Sequence, residues 1–132
     1  MNIILSIHPK WARLIYEGKK TIEWRKSYPK EFTNETKVFL YETAPVCKVT
    51  GFFTLDCVLF KVSAFKEGDI LESKIERGCV DIEALKKYQG KSPYLYGLEV
   101  FMPRKYSTPK TLAEFGLNRP PQSWCYTEVC VK

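Results

Sequence analysis

The stretch of residues 48–61 restricts the fold more than any other part of this chain. It reads KVTGFFTLDCVLFK, with apolar side chains at both odd and even positions. A strand with one face in water alternates apolar and polar residues, whereas this run needs cover on both faces. We therefore expect a long strand that is buried on both sides or curls into a barrel, with Gly51 marking a bulge where it bends.

Five further runs have strand composition, and several segments have helical spacing. The other predicted strands are 2–7, 21–26, 37–43, 94–101, ended by Pro103, and 124–131; the predicted helices are 9–17, 69–77 and 81–88, with one helical turn at 111–115. Strands and helices do not alternate as in a parallel sheet, so we expect the α+β class, as a small mixed β-barrel of about six strands with a few short helices. At 132 residues, the chain is expected to be a single domain spanning 1–132.

Positive charge is concentrated near the N-terminus. Lysines and arginines give the whole chain a net charge of +6, and residues 1–30 alone contribute five of those charges. A positive electrostatic field concentrated in one part of the chain favours an anionic partner, of which nucleic acid is the commonest. A solvated basic surface that aids solubility is the alternative interpretation. The residues expected to form the basic surface are Lys10, Arg13, Lys19, Lys26 and Lys30.

Cysteine and histidine usage argues against two kinds of site. The five cysteines are odd in number and contain no CxxC pair, and His8 is the single histidine. A disulfide framework and a zinc site are therefore not expected, and nothing indicates another metal or a cofactor. The N-terminus lacks the basic region of a secretory signal, and no apolar stretch is long enough to span a bilayer. We expect a cytoplasmic protein with reduced thiols and no membrane contact.

Charged side chains are concentrated in the stretch 18–25, GKKTIEWR. In a strand over 21–26, Thr21, Glu23 and Arg25 share one face, and the two apolar residues between them share the other. In a regular strand Lys20 would face away from the two charged residues. It joins them only if it lies in the turn that Gly18 permits before the strand begins. The alternative interpretation is a lysine at a strand edge beside a structural salt bridge.

These residues have the chemistry of a ligand cleft. A lysine amine acts as a nucleophile or base once burial or a neighbouring cation disfavours its proton, so Lys20 is the first catalytic candidate. Glu23, as a general base, is the second. The planar fork of Arg25 suits a phosphate or carbonyl oxygen, and Thr21 could position a ligand. The candidate ligand-binding residues are therefore Lys20, Thr21, Glu23 and Arg25.

Aromatic residues are candidates for stacking on a nucleobase. Tyr28, Tyr41 and Tyr94 are near loops or strand ends, where an exposed ring stacks readily on a base. Packing inside the protein is the alternative interpretation for each of them. Trp11, on the apolar face of the first helix, and Trp24, on the apolar face of the strand 21–26, are expected in the core.

The stretch 18–25 also resembles a known motif. Gly18, Lys20, Glu23 and Arg25 match the pattern G-x-K-x-x-E-x-R of the ASCH domain, a member of the PUA-like superfamily. The opening ILSIHPKWARLIYEG is similar to that family's first strand and helix, and YGLEV at 96–100 resembles one of its late strands. The resemblance implies a PUA-like β-barrel with a few helices.

The resemblance implies RNA binding, often in a coregulator of transcription or translation. Some small bacterial members are similar to amidohydrolases that deacylate N4-acetylcytidine, and others are ribonucleases. The amidohydrolases use the motif lysine, a threonine and a separate glutamate, and carry threonine where this chain has Glu23. Glu76 and Asp81 lie in the right region for the separate acid, but in no motif. This departure favours binding, or an uncharacterised reaction, over deacylation.

Two principal hypotheses remain. The first is a binding module, in which the basic N-terminal third holds the phosphates of RNA or another nucleic acid and the cleft reads a nucleotide. The second is an enzyme, either a ribonuclease or a hydrolase of a modified nucleoside, in which Lys20 is base or nucleophile. A small-molecule sensor that regulates through a partner is a third. The sequence favours binding.

Overall fold

The computed structural model describes residues 1–129. Within them the chain forms six strands, three α-helices and one 3-10 helix. The bounds are β1 Asn2–Ile7, α1 Pro9–Tyr16, β2 Ile22–Arg25, β3 Lys37–Glu42, β4 Lys48–Val62, α2 Glu72–Gly78, α3 Ile82–Gln89, β5 Leu95–Lys110, the 3-10 helix Leu112–Phe115 and β6 Trp124–Thr127. Every strand and helix predicted from the sequence is present, and the largest differences in bounds are at the ends of β5 and β6.

All six strands form one sheet, in the order β2-β5-β4-β3-β1-β6. β1 pairs with β3 in parallel, and the other neighbouring pairs are antiparallel. The sheet curls until its two edges approach each other: Trp124 Nε1 in β6 donates to Ser27 Oγ, just after β2, at 3.0 Å. This curled sheet with short helices confirms the predicted α+β fold and small barrel.

β4 is the long strand predicted from the apolar residues at both odd and even positions of 48–61. Phe53 and Leu55 join the core cluster under α1, whereas Phe52 joins a separate cluster. Neighbouring residues of a strand point to opposite faces, so β4 is covered on both. Gly51 lies at a register shift, where a Cβ would meet the backbone of β5 and lie 2.7 Å from Tyr16 Oη. Glycine there permits the close approach of the strands.

β5 is longer and β6 shorter than predicted. The sequence predicted that β5 ends before Pro103, but β5 continues along β4 to Lys110. Among the described residues β2 pairs with β5 only as far as Glu99, so the rest of β5 has one open edge. Proline is tolerated there because an edge does not need its missing N–H. β6 ends at Thr127 rather than Val131, and residues 130–132 lie outside the described part of the chain.

The helices are about two turns each and have recognisable ends. α1 begins after His8, whose ring Nδ1 accepts from Lys10 N at 3.3 Å. It ends at Tyr16, and Gly18, two residues further on, has a φ of +78°, which confirms the predicted left-handed cap. α3 begins after Asp81, whose carboxylate accepts from Ala84 N at 2.8 Å. None of the helices in residues 1–129 is long and apolar enough to cross a membrane.

Two core clusters meet at β2. One contains α1 and includes Ile3, Ala12, Ile15 and Leu98; the other contains α2 and α3 and includes Ile22, Trp24, Ile70, Leu85 and Leu95. β2 lies at the edge of the sheet, and its Ile22 and Trp24 belong to the second cluster. Glu23 points to the other face, where its neighbour in β5, Leu98, belongs to the first cluster. The stretch 18–25 therefore lies where α1, β2 and the pair of later helices come together.

Candidate functional site

The segment between α1 and β2 turns Lys20 inward. After Gly18, the backbone N–H groups of Lys19 and Lys20 both donate to Leu14 O, at 3.0 and 3.1 Å. β2 begins only at Ile22, so strand alternation does not decide where Lys20 points. The Lys20 side chain is 2% exposed, and it is among the largest of the fully buried side chains in the described chain.

Lys20, Glu23 and Arg25 converge in space. Lys20 Nζ lies 3.3 Å from Glu23 Oε1. Arg25 Nη2 donates to Glu23 Oε2 at 2.8 Å, and Arg25 Nε reaches the same oxygen at 3.3 Å. One carboxylate thus bridges two cations, and the cluster keeps one net positive charge. Lys20 occupies the turn before the strand, which is the position that such a convergence requires.

The Glu23 carboxyl is held in its ionised form. Burial by itself would raise its pKa, because a buried charge loses its hydration. The Arg25 guanidinium and then the Lys20 ammonium outweigh burial, and the pKa of Glu23 is lowered from its ordinary value. At neutral pH Glu23 is therefore a hydrogen-bond acceptor flanked by two donors.

The C-terminus of α2 holds the Lys20 ammonium. Lys20 Nζ donates to Gly78 O at 2.5 Å, where the negative end of the helix dipole adds to the attraction. Gly78 packs against the indole of Trp24: a Cβ at this position would lie 2.8 Å from Trp24 Cδ1 and closer still to Nε1. A side chain at position 78 would push α2 away from β2 and withdraw the carbonyl from Lys20.

Arg25 joins the two edges of the sheet as well as binding Glu23. From the end of β2 it donates to Ser6 O in β1 at 2.8 Å and to Ser123 Oγ, just before β6, at 3.2 Å. A guanidinium has five N–H groups, and these bonds leave at most one of them for a ligand. Arg25 therefore closes the curled sheet, a role that the sequence did not predict.

A cleft of about 300 Å³ opens above this cluster, between α1 and α3. The residues that line it are Trp11, Lys20, Glu23, Trp24, Arg25, Val80, Ala84, Leu85 and Tyr88. Exposed lysines stand over two of its rings: Lys10 Nζ is 4.8 Å from the Trp11 ring centre, and Lys26 Nζ is 5.0 Å from the Tyr88 ring centre. A charged floor, aromatic walls and a basic rim suit a flat, polar, anionic ligand.

The aromatic walls of the cleft are not the rings that sequence reasoning selects for stacking. Trp11 and Trp24, expected in the core, both line the cleft. Trp24 is also part of the core under α3, and Trp11 packs against the core cluster under α1. Sequence reasoning does not single out Tyr88. It follows Ala84 and Leu85 by about one turn of α3, a spacing that places the three residues on one face. The packing of α3 beside β2 brings that face to the stretch 18–25. The spacing of apolar residues in α3 does not by itself indicate this packing.

The three tyrosines considered as candidates for stacking lie elsewhere. Tyr28 packs against Phe60 and Tyr96, with ring centres 4.9 and 4.6 Å apart. Tyr41 is buried in a core cluster, and Tyr94 is 40% exposed just before β5. Among the described residues that line the cleft, none is one of these tyrosines. For Tyr28 and Tyr41, packing is what the structure shows.

Thr21 does not face the cleft together with Glu23 and Arg25, as the strand pattern predicted. Its N–H donates to Arg77 O at 2.8 Å, and its hydroxyl accepts from Arg77 Nε at 2.9 Å. Arg77 Nη2 in turn lies 2.9 Å from Glu99 Oε1. The predicted strand starts one residue too early, and Thr21 instead fastens α2 to the start of β2.

The two acids considered for deacylation do not line the cleft either. Glu76 is exposed on α2, and Asp81 caps α3 and lines a different groove, beside residues 64–75. Glu23 is therefore the one carboxylate among the described residues that line the cleft. Any proton transfer to a carboxylate in this cleft would have to use Glu23.

The five residues of the predicted basic surface are all exposed, but they do not form one patch. Lys10 and Lys26 stand at the rim of the cleft. Arg13 lies beside Lys10 in a groove along α1, and Lys19 pairs with a glutamate of that helix end at 3.6 Å. Lys30 lies in a separate groove near the N-terminus. Two of the five are thus placed to meet a ligand in the cleft.

Two named relatives share parts of this sequence. A Zymomonas mobilis protein named ASCH domain-containing ribonuclease is 34% identical over 56 residues, which cover 42% of this chain and 37% of that protein. The ATP synthase subunit alpha of Ureaplasma parvum is 26% identical over 130 residues, which cover 95% of this chain but 15% of that protein. The match thus spans well under two thirds of the length of either relative.

A solved structure and a family model agree on the fold. The crystal structure of ASCH from Zymomonas mobilis superposes with a TM-score of 0.78 at 22% identity, over 95% of this chain and 86% of that one. The family model for the ASCH domain matches residues 5–119, which contain the whole stretch 18–25 and every residue that lines the cleft. The chain belongs to the ASCH domain family.

Proposed function

We propose that this protein binds RNA and that the cleft holds one nucleotide of the strand. The observation that carries the proposal is the convergence of Lys20, Glu23 and Arg25 on the floor of a cleft with aromatic walls. A member of the same family is named a ribonuclease. A volume of about 300 Å³ lies at the lower end of the range for ligand sites, which favours a single nucleotide over a larger group.

Stacking, hydrogen bonds and charge would together hold the nucleotide. Its base would stack on Trp11 or Tyr88, whose rings flank the opening. Glu23 would accept a hydrogen bond from an exocyclic amine, and the Lys20 ammonium would donate to a neighbouring carbonyl or phosphate oxygen. Lys10 would leave the ring that it now covers and bind a flanking phosphate, and Lys26, on the other side of the rim, would do the same.

Cleavage of the bound RNA is the second candidate function, and the relative named ribonuclease favours it. The ionised Glu23 would take the proton of a 2′-hydroxyl, whose oxygen would attack the adjacent phosphorus to form a 2′,3′-cyclic phosphate. The P–O5′ bond would break, and the departing 5′-oxygen would take a proton from solvent water and leave as an alcohol. Lys20 would stabilise the negative charge that develops on the phosphate. A regulator of transcription or translation, the role expected from the sequence, would need binding alone.

Removing the basic rim is expected to weaken RNA binding without changing the fold. When log affinity is plotted against log salt concentration, each phosphate contact to a single strand makes the slope steeper by about 0.7. Lys10→Gln/Lys26→Gln removes two such contacts, so the slope should become shallower by about 1.4. Fluorescence anisotropy measures the affinity, with a labelled RNA of three nucleotides and a longer single strand. Both RNAs should be weakened, because both occupy the cleft.

The matched control is Lys66→Gln/Lys91→Gln, which removes the same charge from two exposed positions outside the cleft. It should bind both RNAs as the wild type does. Gel analysis of the same RNAs separates binding from cleavage. The proposal is wrong if the wild type binds neither RNA at low salt, or if the rim variant binds as tightly as the control.

A further inference from the structure

A second surface with basic and aromatic residues lies on β3, β4 and β5, away from the cleft. We call it the outer groove: a depression of about 580 Å³ lined by Lys37, Phe52, Arg104, Lys105, Tyr106 and Ser107. Lys37 Nζ is 4.8 Å from the ring centre of Phe52, and the rings of Phe52 and Tyr106 are 5.9 Å apart. Just beyond the groove, Lys110 Nζ stands 5.0 Å from the ring centre of Tyr106.

The outer groove has the composition of a surface that binds a single strand. The described residues that line it include three cations and no carboxylate, so its charge favours phosphates. Phe52 and Tyr106 pack against the core cluster that contains Phe39, but both stay half-buried, and the accessible part of their rings is what bases would stack on, whatever their sequence. Arg104 and Lys105 are exposed, on the part of β5 that has an open edge in the described chain. Lysine at an open edge also deters pairing with other strands, and this alternative role needs no ligand.

A groove along α1 connects the outer groove to the cleft. Lys105 lines both the outer groove and this second groove, where Lys10 and Arg13 lie, and its Nζ is 5.9 Å from the ring centre of Tyr16. Lys10 in turn stands over Trp11 in the cleft. Two acids, Glu17 and Glu42, also line the groove along α1; Lys19 pairs with the first, and the second is buried. Exposed cations therefore occur at the rim of the cleft, in the groove along α1 and on β5.

We propose that an RNA strand held in the cleft continues along α1 and into the outer groove, so that the ligand is a single strand of several nucleotides rather than a free nucleotide. The proposal rests on the proposed function, because the cleft anchors one part of the strand. Lys10 and Arg13 bind phosphates between the two sites. Arg104, Lys105 and Lys37 bind the phosphates of the distal part.

Arg104→Gln/Lys105→Gln tests the proposed path, because it should weaken the binding of long RNA but not of short RNA. The variant should bind a single strand of about a dozen nucleotides about tenfold more weakly at low salt, with the salt slope reduced by about 1.4. It should bind the three-nucleotide RNA as the wild type does, because that RNA fills only the cleft. The control Lys66→Gln/Lys91→Gln should bind both RNAs normally, and equal melting temperatures would show that all the proteins are folded.

The other possible results show which of the two proposals, RNA binding in the cleft or the path to the outer groove, is wrong. If Arg104→Gln/Lys105→Gln binds both RNAs normally while the rim variant Lys10→Gln/Lys26→Gln is weakened, the path is wrong and the cleft stands. Equal weakening of short and long RNA also contradicts the path, because the groove would then act on the cleft itself. If the wild type binds no RNA of either length, the proposed function fails and the path fails with it.

Discussion

Glu23→Gln is expected to lower the free energy of unfolding by about 3–5 kcal/mol, the usual cost of leaving buried charge uncompensated. The variant keeps the size of the side chain but leaves Lys20 and Arg25, whose side chains are 2% and 12% exposed, without their shared carboxylate. A domain of ordinary stability has about 5–15 kcal/mol in total, so this is a large fraction. Urea unfolding followed by circular dichroism measures the loss.

Lys20→Met should cost less, about 1–3 kcal/mol, because Glu23 keeps Arg25 and the main loss is the donor to a buried carbonyl. The double variant should lose less than the sum of the two single losses, because only Arg25 then remains charged. Glu99→Gln is the comparison variant: its two cationic partners, Arg77 and Lys74, are 37% and 31% exposed, so losing the carboxylate leaves no buried cation unpaired. We expect a loss of about 1 kcal/mol or less. Two results would contradict the interpretation that Glu23 compensates two buried cations. One is a double variant that loses as much stability as the two single variants together; the other is a Glu23→Gln loss no larger than that of Glu99→Gln.

Arg25→Met is expected to loosen the closure of the sheet and to cost about 3–5 kcal/mol, as for a broken buried ion pair. It removes the donor to Ser6 O and one of the two cations on Glu23. Besides lowering the stability of the whole domain, the substitution should loosen β6 locally. Backbone amides of β6 should exchange with solvent faster relative to those of β4, which hydrogen exchange with mass spectrometry measures.

Arg25→Lys separates charge from geometry. Lysine keeps the positive charge near Glu23, but a single ammonium lacks the planar fork that reaches Glu23, Ser6 and Ser123 together. We expect part of the stability to return while exchange in β6 stays fast. Unchanged exchange in β6 for both variants would mean that Arg25 does not hold the two edges together.

The features predicted well from the sequence rest on local patterns. The apolar run at 48–61 indicated a strand covered on both faces, because only a curled or layered sheet buries both parities. Gly18 indicated the end of α1, because its left-handed backbone is open to glycine, and this turn in fact frees Lys20 from strand alternation. In each case neighbouring residues carry the physical cause, so the sequence contains the information.

The features missed from the sequence depend on contacts between distant residues. Arg25 reaches Ser6 and Ser123, 19 and 98 positions away, only because the sheet curls. Tyr88 reaches the cleft through the packing of α3 beside β2. β5 continues past Pro103 because it pairs with β4 as far as Lys110, and the proline is tolerated because β2 is too short to cover the other edge. The length of one strand does not follow from the composition of another.

The central claim is that the cleft above Lys20, Glu23 and Arg25 binds a nucleotide of RNA, and the three tryptophans test it directly. Trp11 and Trp24 line the cleft, whereas Trp124 donates its indole N–H to Ser27 outside it. In a titration with a short single-stranded RNA, followed by two-dimensional ¹H–¹⁵N NMR, we predict that the indole signals of the first two move together while that of Trp124 stays in place. Movement of the Trp124 signal alone, or no movement of any indole signal at high RNA concentration, would contradict the account.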